Sequence, residues 1–165
     1  MDTIESLRAE VSALAARIDA AEKAQAEKAA AVPAQGIPAG IGVSWGYGIY
    51  AGVVRGNPEQ RDYHLIVSAE EIDSATWDAA RAWAKARGDD EVTWSLPQRK
   101  EQAILFGNVP ELFEKEWYWS DAQSASAAGS AWAQGFSRGH QHYFHKVNEF
   151  RARAVRRVPI VKEPT

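Results

Sequence analysis

Three histidines, His140, His142 and His145, fall within six residues of the sequence. Imidazoles so close together could chelate a metal or donate hydrogen bonds to a ligand. On a strand, His140 and His142 share one face while His145 takes the other, so at most two would reach one ion. A closed zinc site wants four ligands, and the sequence has no cysteine to complete such a set. The expectation is hydrogen-bonding histidines on a contact surface, with no metal and no other cofactor.

Recognition of a sugar or a protein needs aromatic platforms beside hydrogen-bonding groups. Trp119, Asp121, Gln123, Ser137, Arg138, His140, Gln141, His142, Tyr143, His145 and Asn148 supply both kinds and are the expected ligand-binding residues. The narrower expected contact surface is the loop Asp121 to Ser130, the turn Ser137 to Gly139 and one face of His140 to Asn148. Trp132 is a further platform, although burial is the commoner fate of any one of Trp117, Trp119 and Trp132. Asp121 and Glu116 come nearest to a glycosidase carboxylate pair, but two acids five residues apart in a sheet-rich segment are weak grounds for one. Neither a nucleophile elbow nor a phosphate loop occurs, and no catalytic residue is expected.

The elements that must position these groups follow from periodicity and turn residues. Tyr47 to Arg55 and Asp62 to Ser68 read as a β-hairpin. Ser74 to Arg87 reads as a helix capped by Asp73 or Ser74, with Trp77, Ala80, Trp83 and Ala84 as its buried stripe and Gly88 at its end. Pro97 leads into a second helix, about Gln98 to Phe106, and a short turn spans Pro110 to Phe113. Four strands then follow, Trp117 to Ser120, Ser130 to Phe136, His140 to Val147 and Arg151 to Val158. An early hairpin, two helices and a late sheet make an α+β domain.

Ahead of this domain, Ile4, Leu7, Val11, Leu14, Ile18 and Ala21 keep the alternating three-and-four spacing of a coiled-coil seam. Ile4, Val11 and Ile18 fall at a positions and Leu7 and Leu14 at d, while Arg17 at g can meet Glu22 at e of a partner helix. Three heptads are marginal alone, so the segment is expected to associate with itself. Branched residues at a with Leu at d favour two strands. Prolines and glycines from Ala31 to Gly42 mark a semi-rigid linker. The expected organisation is an oligomerisation helix at 1–30, a linker at 31–42 and a binding domain at 43–165.

The net charge of −3 argues against general nucleic-acid binding, although seven cations oppose only Glu149 and Glu163 from Ala131 onward. Arg151, Arg153, Arg156 and Arg157 are expected to pair with acids of the helices, such as Glu101 or Glu116. The first residues are charged and amphipathic, with no signal peptide and no membrane-inserting run, as in a protein made in a bacterial cytoplasm.

An ordered set of motifs resembles a known family. Gly48-Ile49-Tyr50-Ala51-Gly52, Trp94-Ser95-Leu96-Pro97-Gln98-Arg99-Lys100-Glu101, Trp117-Tyr118-Trp119-Ser120, Ala131-Trp132-Ala133-Gln134-Gly135-Phe136 and Arg151-Ala152-Arg153-Ala154-Val155-Arg156 resemble the DUF1566 family, related to the Lcl C-terminal domain. The likeness runs from about Tyr47 to Pro159. It implies a C-type-lectin-like domain: a twisted antiparallel sheet, two helices, paired N- and C-terminal strands and a loop region that binds ligands. Members occur in bacterial surface proteins and phage tails, and the phage setting implies a trimer. It implies a non-enzymatic receptor-binding module of a phage tail fibre tip, within the virion, recognising a bacterial surface glycan or protein and joined to other tail proteins. A structural fibre or baseplate component and a bacterial adhesion protein are the alternatives. Gln98 stands where the family often has threonine, and the calcium motifs of sugar-binding C-type lectins are absent, so calcium-dependent sugar chelation is not expected.

Overall fold

A computed structural model describes residues 2–30 and 36–161. The chain divides into a helical unit, Met1–Ala31, and a head, Val32–Thr165. Part of the expected linker, residues 31–35, lies outside the described residues. No helix among the described residues is long and apolar enough to cross a membrane.

The helical unit is α1, Asp2–Ala30, whose run of Ala, Glu, Lys and Leu favours a helix throughout. Ile4, Leu7, Val11, Leu14 and Ile18 lie along it with 50–67% of each side chain exposed. Five large apolar groups in water at heptad spacing form an open seam.

The head is mixed α and β. Its strands are β1 (Ser44–Trp45), β2 (Gly48–Val54), β3 (Tyr63–Val67), β4 (Ile72–Ala75), β5 (Trp117–Gln123), β6 (Ser130–Gly135), β7 (Gln141–His145), β8 (Phe150–Ala152) and β9 (Val155–Pro159). The helices are α2 (Trp77–Ala86) and α3 (Arg99–Asn108), with a single 3-10 turn at Pro110–Leu112. One sheet has the order β1-β2-β3-β9 and the other β4-β8-β5-β6-β7. All pairings are antiparallel except β5 with β8, which run parallel at Tyr118 and Arg151.

Several expectations change in detail. The expected strand Arg151 to Val158 is two strands: β8 closes onto β4 and β5, whereas β9 closes onto β3. Arg153 and Ala154 make the crossing, where Arg153 donates to the carbonyls of Ser68 and Ala69 and Ala154 N–H donates to Ser68 Oγ. The first helix begins at Trp77, because Ile72 to Ala75 pairs as β4 and Thr76, instead of Asp73 or Ser74, caps it by accepting from Ala79 N–H. The first and last strands, expected to pair, lie at opposite edges of one sheet because β2 and β3 come between them.

Two apolar clusters hold the layers together. Trp45, Ile66, Trp77, Trp94, Leu96 and Trp119 belong to one, with the small residues Ala131, Ala133 and Ala152 letting backbones approach. Tyr63, Leu65, Leu105, Tyr118, Phe136 and Val155 belong to the other. Each fully buried large side chain contributes about 2 kcal/mol by removal from water.

A buried ion pair pins α3 to the first sheet. Glu101 is 0% exposed, and its Oε1 accepts from Arg157 Nε at 2.6 Å and from Tyr63 O–H at 2.5 Å. Its Oε2 accepts from Arg157 Nη2 and from the Gln98 N–H at the helix start. Burial pushes this carboxyl upward, but the Arg157 hydrogen bonds and charge, with Tyr63 and Gln98, outweigh it and leave Glu101 below its usual range. The same surroundings, burial first, raise the Tyr63 phenol. Arg157 thus finds a helix acid as expected, while Arg151 turns to Glu71 and Asp73.

Candidate functional site

The expected contact residues gather around the β6–β7 hairpin, which ends the second sheet with β7 as its edge. Register sets Trp132 opposite Tyr143, Ala133 opposite His142 and Gln134 opposite Gln141. Alternation therefore sends Trp132, Gln134, Gln141 and Tyr143 to one face and Ala133, His142 and Phe144 to the other.

On the first face a chain of amides runs from core to surface. Gln102 is 1% exposed and donates from Nε2 to the Tyr118 carbonyl at 3.0 Å. Gln134, 0% exposed, donates to the Gln102 carbonyl at 2.9 Å and accepts through Oε1 from Gln141 Nε2 at 2.8 Å. Gln141 also donates to the Arg99 carbonyl at 2.8 Å and accepts from Arg99 Nε at 2.9 Å. The Arg99 guanidinium lies over the Trp132 ring, 3.5 Å from its centre, and Trp132 meets Tyr143 edge to face at 5.3 Å. Gln134 is the link: its side-chain amide bonds the Gln102 backbone carbonyl and the Gln141 side chain, and because a buried amide costs free energy unless bonded, it holds Gln141 in one arrangement.

The second face is more apolar. Trp117 receives His140 at 5.0 Å and Phe144 at 4.8 Å, both edge on. His142 sits 5.3 Å from the Phe144 ring, and its Nδ1 accepts from Tyr143 N–H at 2.7 Å. The histidines are exposed, but no group of three or more His, Cys, Asp or Glu side chains among the described residues is placed to hold a metal ion.

The remaining expected residues fall in three places. Ser137 and Arg138 are exposed in the turn between β6 and β7. Asn148 folds back to donate to the His145 carbonyl at 3.1 Å. At the loop end of β5, Asp121 pairs with Arg81 at 2.9 Å and Gln123 accepts from Lys146 at 2.7 Å, while Arg81 and Lys146 each lie 4.5 Å from the Trp77 ring centre. A shallow cleft of about 440 Å³ opens there between α2 and Thr93 to Leu96.

Trp119 is a correction. It is 0% exposed, its Nε1 donates to the Ala75 carbonyl at 2.9 Å, and it packs on Phe150, so it is core and not a contact group. The fourth histidine, His64, is also interior, where burial lowers its pKa and Tyr50 O–H lies 2.9 Å from Nδ1. Reasoning from the sequence passed over Arg99 as a contact group. The available signal was a cation opening a helix, where an acid is normally favoured.

No protein-family model matches the sequence, and no curated protein is significantly similar to it.

Proposed function

We propose that the chain is a non-enzymatic receptor-binding module with a C-type-lectin-like head, multiplied by its N-terminal helix and carried at the tip of a phage tail fibre. The observation that carries this reading is the aromatic, arginine and amide face of the β6–β7 hairpin, held in place through the buried Gln134. A surface whose exposed side chains are fixed from beneath by a buried amide suits preorganised recognition. The motif resemblance supports the tail setting, the trimer and the bacterial surface receptor. The open heptad seam of α1 supports self-association, with three chains preferred and two the alternative.

Attachment to bacterial cells tests the reading. Tyr143→Ala is expected to lower whole-cell binding by about tenfold, with the thermal midpoint little changed, because the ring lies at the surface. Wild-type attachment that survives unchanged across Trp132→Ala, Tyr143→Ala and His142→Ala would reject it. The same open seam also suits a purely structural fibre component. That alternative predicts particle assembly that depends on α1 and no cell binding by the head.

A further inference from the structure

The first face of the hairpin carries an unneutralised cation at a fixed position. Arg99 is exposed, and among the described residues no carboxylate lies within ion-pair distance of it. Its guanidinium is nevertheless ordered on two sides: Trp132 supports its plane at 3.5 Å and Gln141 holds Nε at 2.9 Å. The two terminal nitrogens keep their donors, and together they form the planar fork that matches a carboxylate or phosphate. Arg99 is also the first residue of α3, so its charge adds to the positive end of the helix dipole. The acid of that first turn, Glu101, is buried and already engaged by Arg157, Tyr63 and Gln98. Charge, orientation and lack of an internal counter-ion all ask for an external anion. The neighbouring Tyr143 ring, 39% exposed, offers an apolar surface on which a pyranose could stack.

We propose that Arg99 is an oxyanion subsite for an acidic glycan, taking a sugar carboxylate, or a phosphate of a glycan polymer, end-on at its terminal nitrogens. The proposal rests on the receptor-binding reading and narrows its ligand to anionic saccharides. Gln141 and Trp132 act as positioning residues for the fork, and Gln134 holds Gln141.

The test uses the full chain with immobilised polyglucuronate, the same polymer after reduction of its carboxyls to neutral glucose, a phosphodiester-linked hexose polymer and polyglutamate. Arg99→Gln and Arg99→Lys are compared with wild type, after circular dichroism has shown that each is folded. Binding to polyglucuronate is expected to fall about tenfold on carboxyl reduction and equally in Arg99→Gln, with Arg99→Lys between wild type and Arg99→Gln because it keeps the charge but loses the fork. Preference for the phosphate polymer, again lost in Arg99→Gln, supports the subsite and identifies its source. Polyglutamate bound as tightly as the glycans would overturn the saccharide assignment. Cell attachment that persists undiminished in Arg99→Gln would overturn this proposal and leave the receptor-binding reading intact. Absence of attachment to any cell or polymer by the wild type overturns both.

Discussion

Glu101 shows how much of the head rests on single residues. A carboxylate with no exposure is tolerable only because Arg157, Tyr63 and Gln98 surround both of its oxygens. Removing one partner strands the other, so Arg157→Ala is expected to cost about 3 kcal/mol in urea unfolding. The pH dependence has a definite sign. Since Glu101 is held below its ordinary 4.5, its contribution is complete above that value and is lost as pH falls toward the lower folded-state value. Glu101→Gln should therefore flatten the acid limb of the stability profile below about pH 4.5, and an unchanged limb would show that other carboxylates set it. That the late arginines would meet helix acids such as Glu101 or Glu116 was legible in the sequence; which arginine meets which acid was not. The fate of Trp119 was not, because alternation along a strand tells which residues share a face but not which face lies against the helices.

At the scale of elements, hairpins and helices were readable because Gly, Pro and Asn punctuate them, whereas the two short strands β1 and β4 were not. A strand of two residues in β1, or of four in β4 beside a capped helix, leaves no periodic signal. The division of Arg151 to Val158 was equally hidden, since the crossing depends on Ser68, far away in the chain. The β6–β7 turn, by contrast, has a local cause. Gly139 has φ +82°, and a Cβ there would lie 2.6 Å from the Phe106 ring of α3. Gly139→Ala is expected to lower stability by about 2 kcal/mol through strain and collision, measured as a shift in thermal midpoint. Retention of the wild-type midpoint would mean that Phe106 withdraws freely.

For the whole molecule, the exposed heptad positions of α1 are, in the proposed function, the means of multiplying a weak contact. Linked heads convert later binding events into intramolecular ones, so an oligomer gains on a cell surface without any new contact. Leu7→Asp combined with Leu14→Asp places charges in the seam and is expected to yield monomers in sedimentation analysis, with cell attachment down about a hundredfold. A monomeric wild type, or an oligomer that survives both changes, would remove α1 from that role. The crossing at Arg153 and Ala154 also bears on biosynthesis. β3 leaves the ribosome long before β9, its partner at Tyr63↔Pro159 through Val67↔Val155. Until then the segment Tyr63–Val67, YHLIV, has one bare edge and a high strand propensity. The edge of β3 is therefore expected to stay open to misassociation during synthesis, and that exposure ends only when β9 arrives.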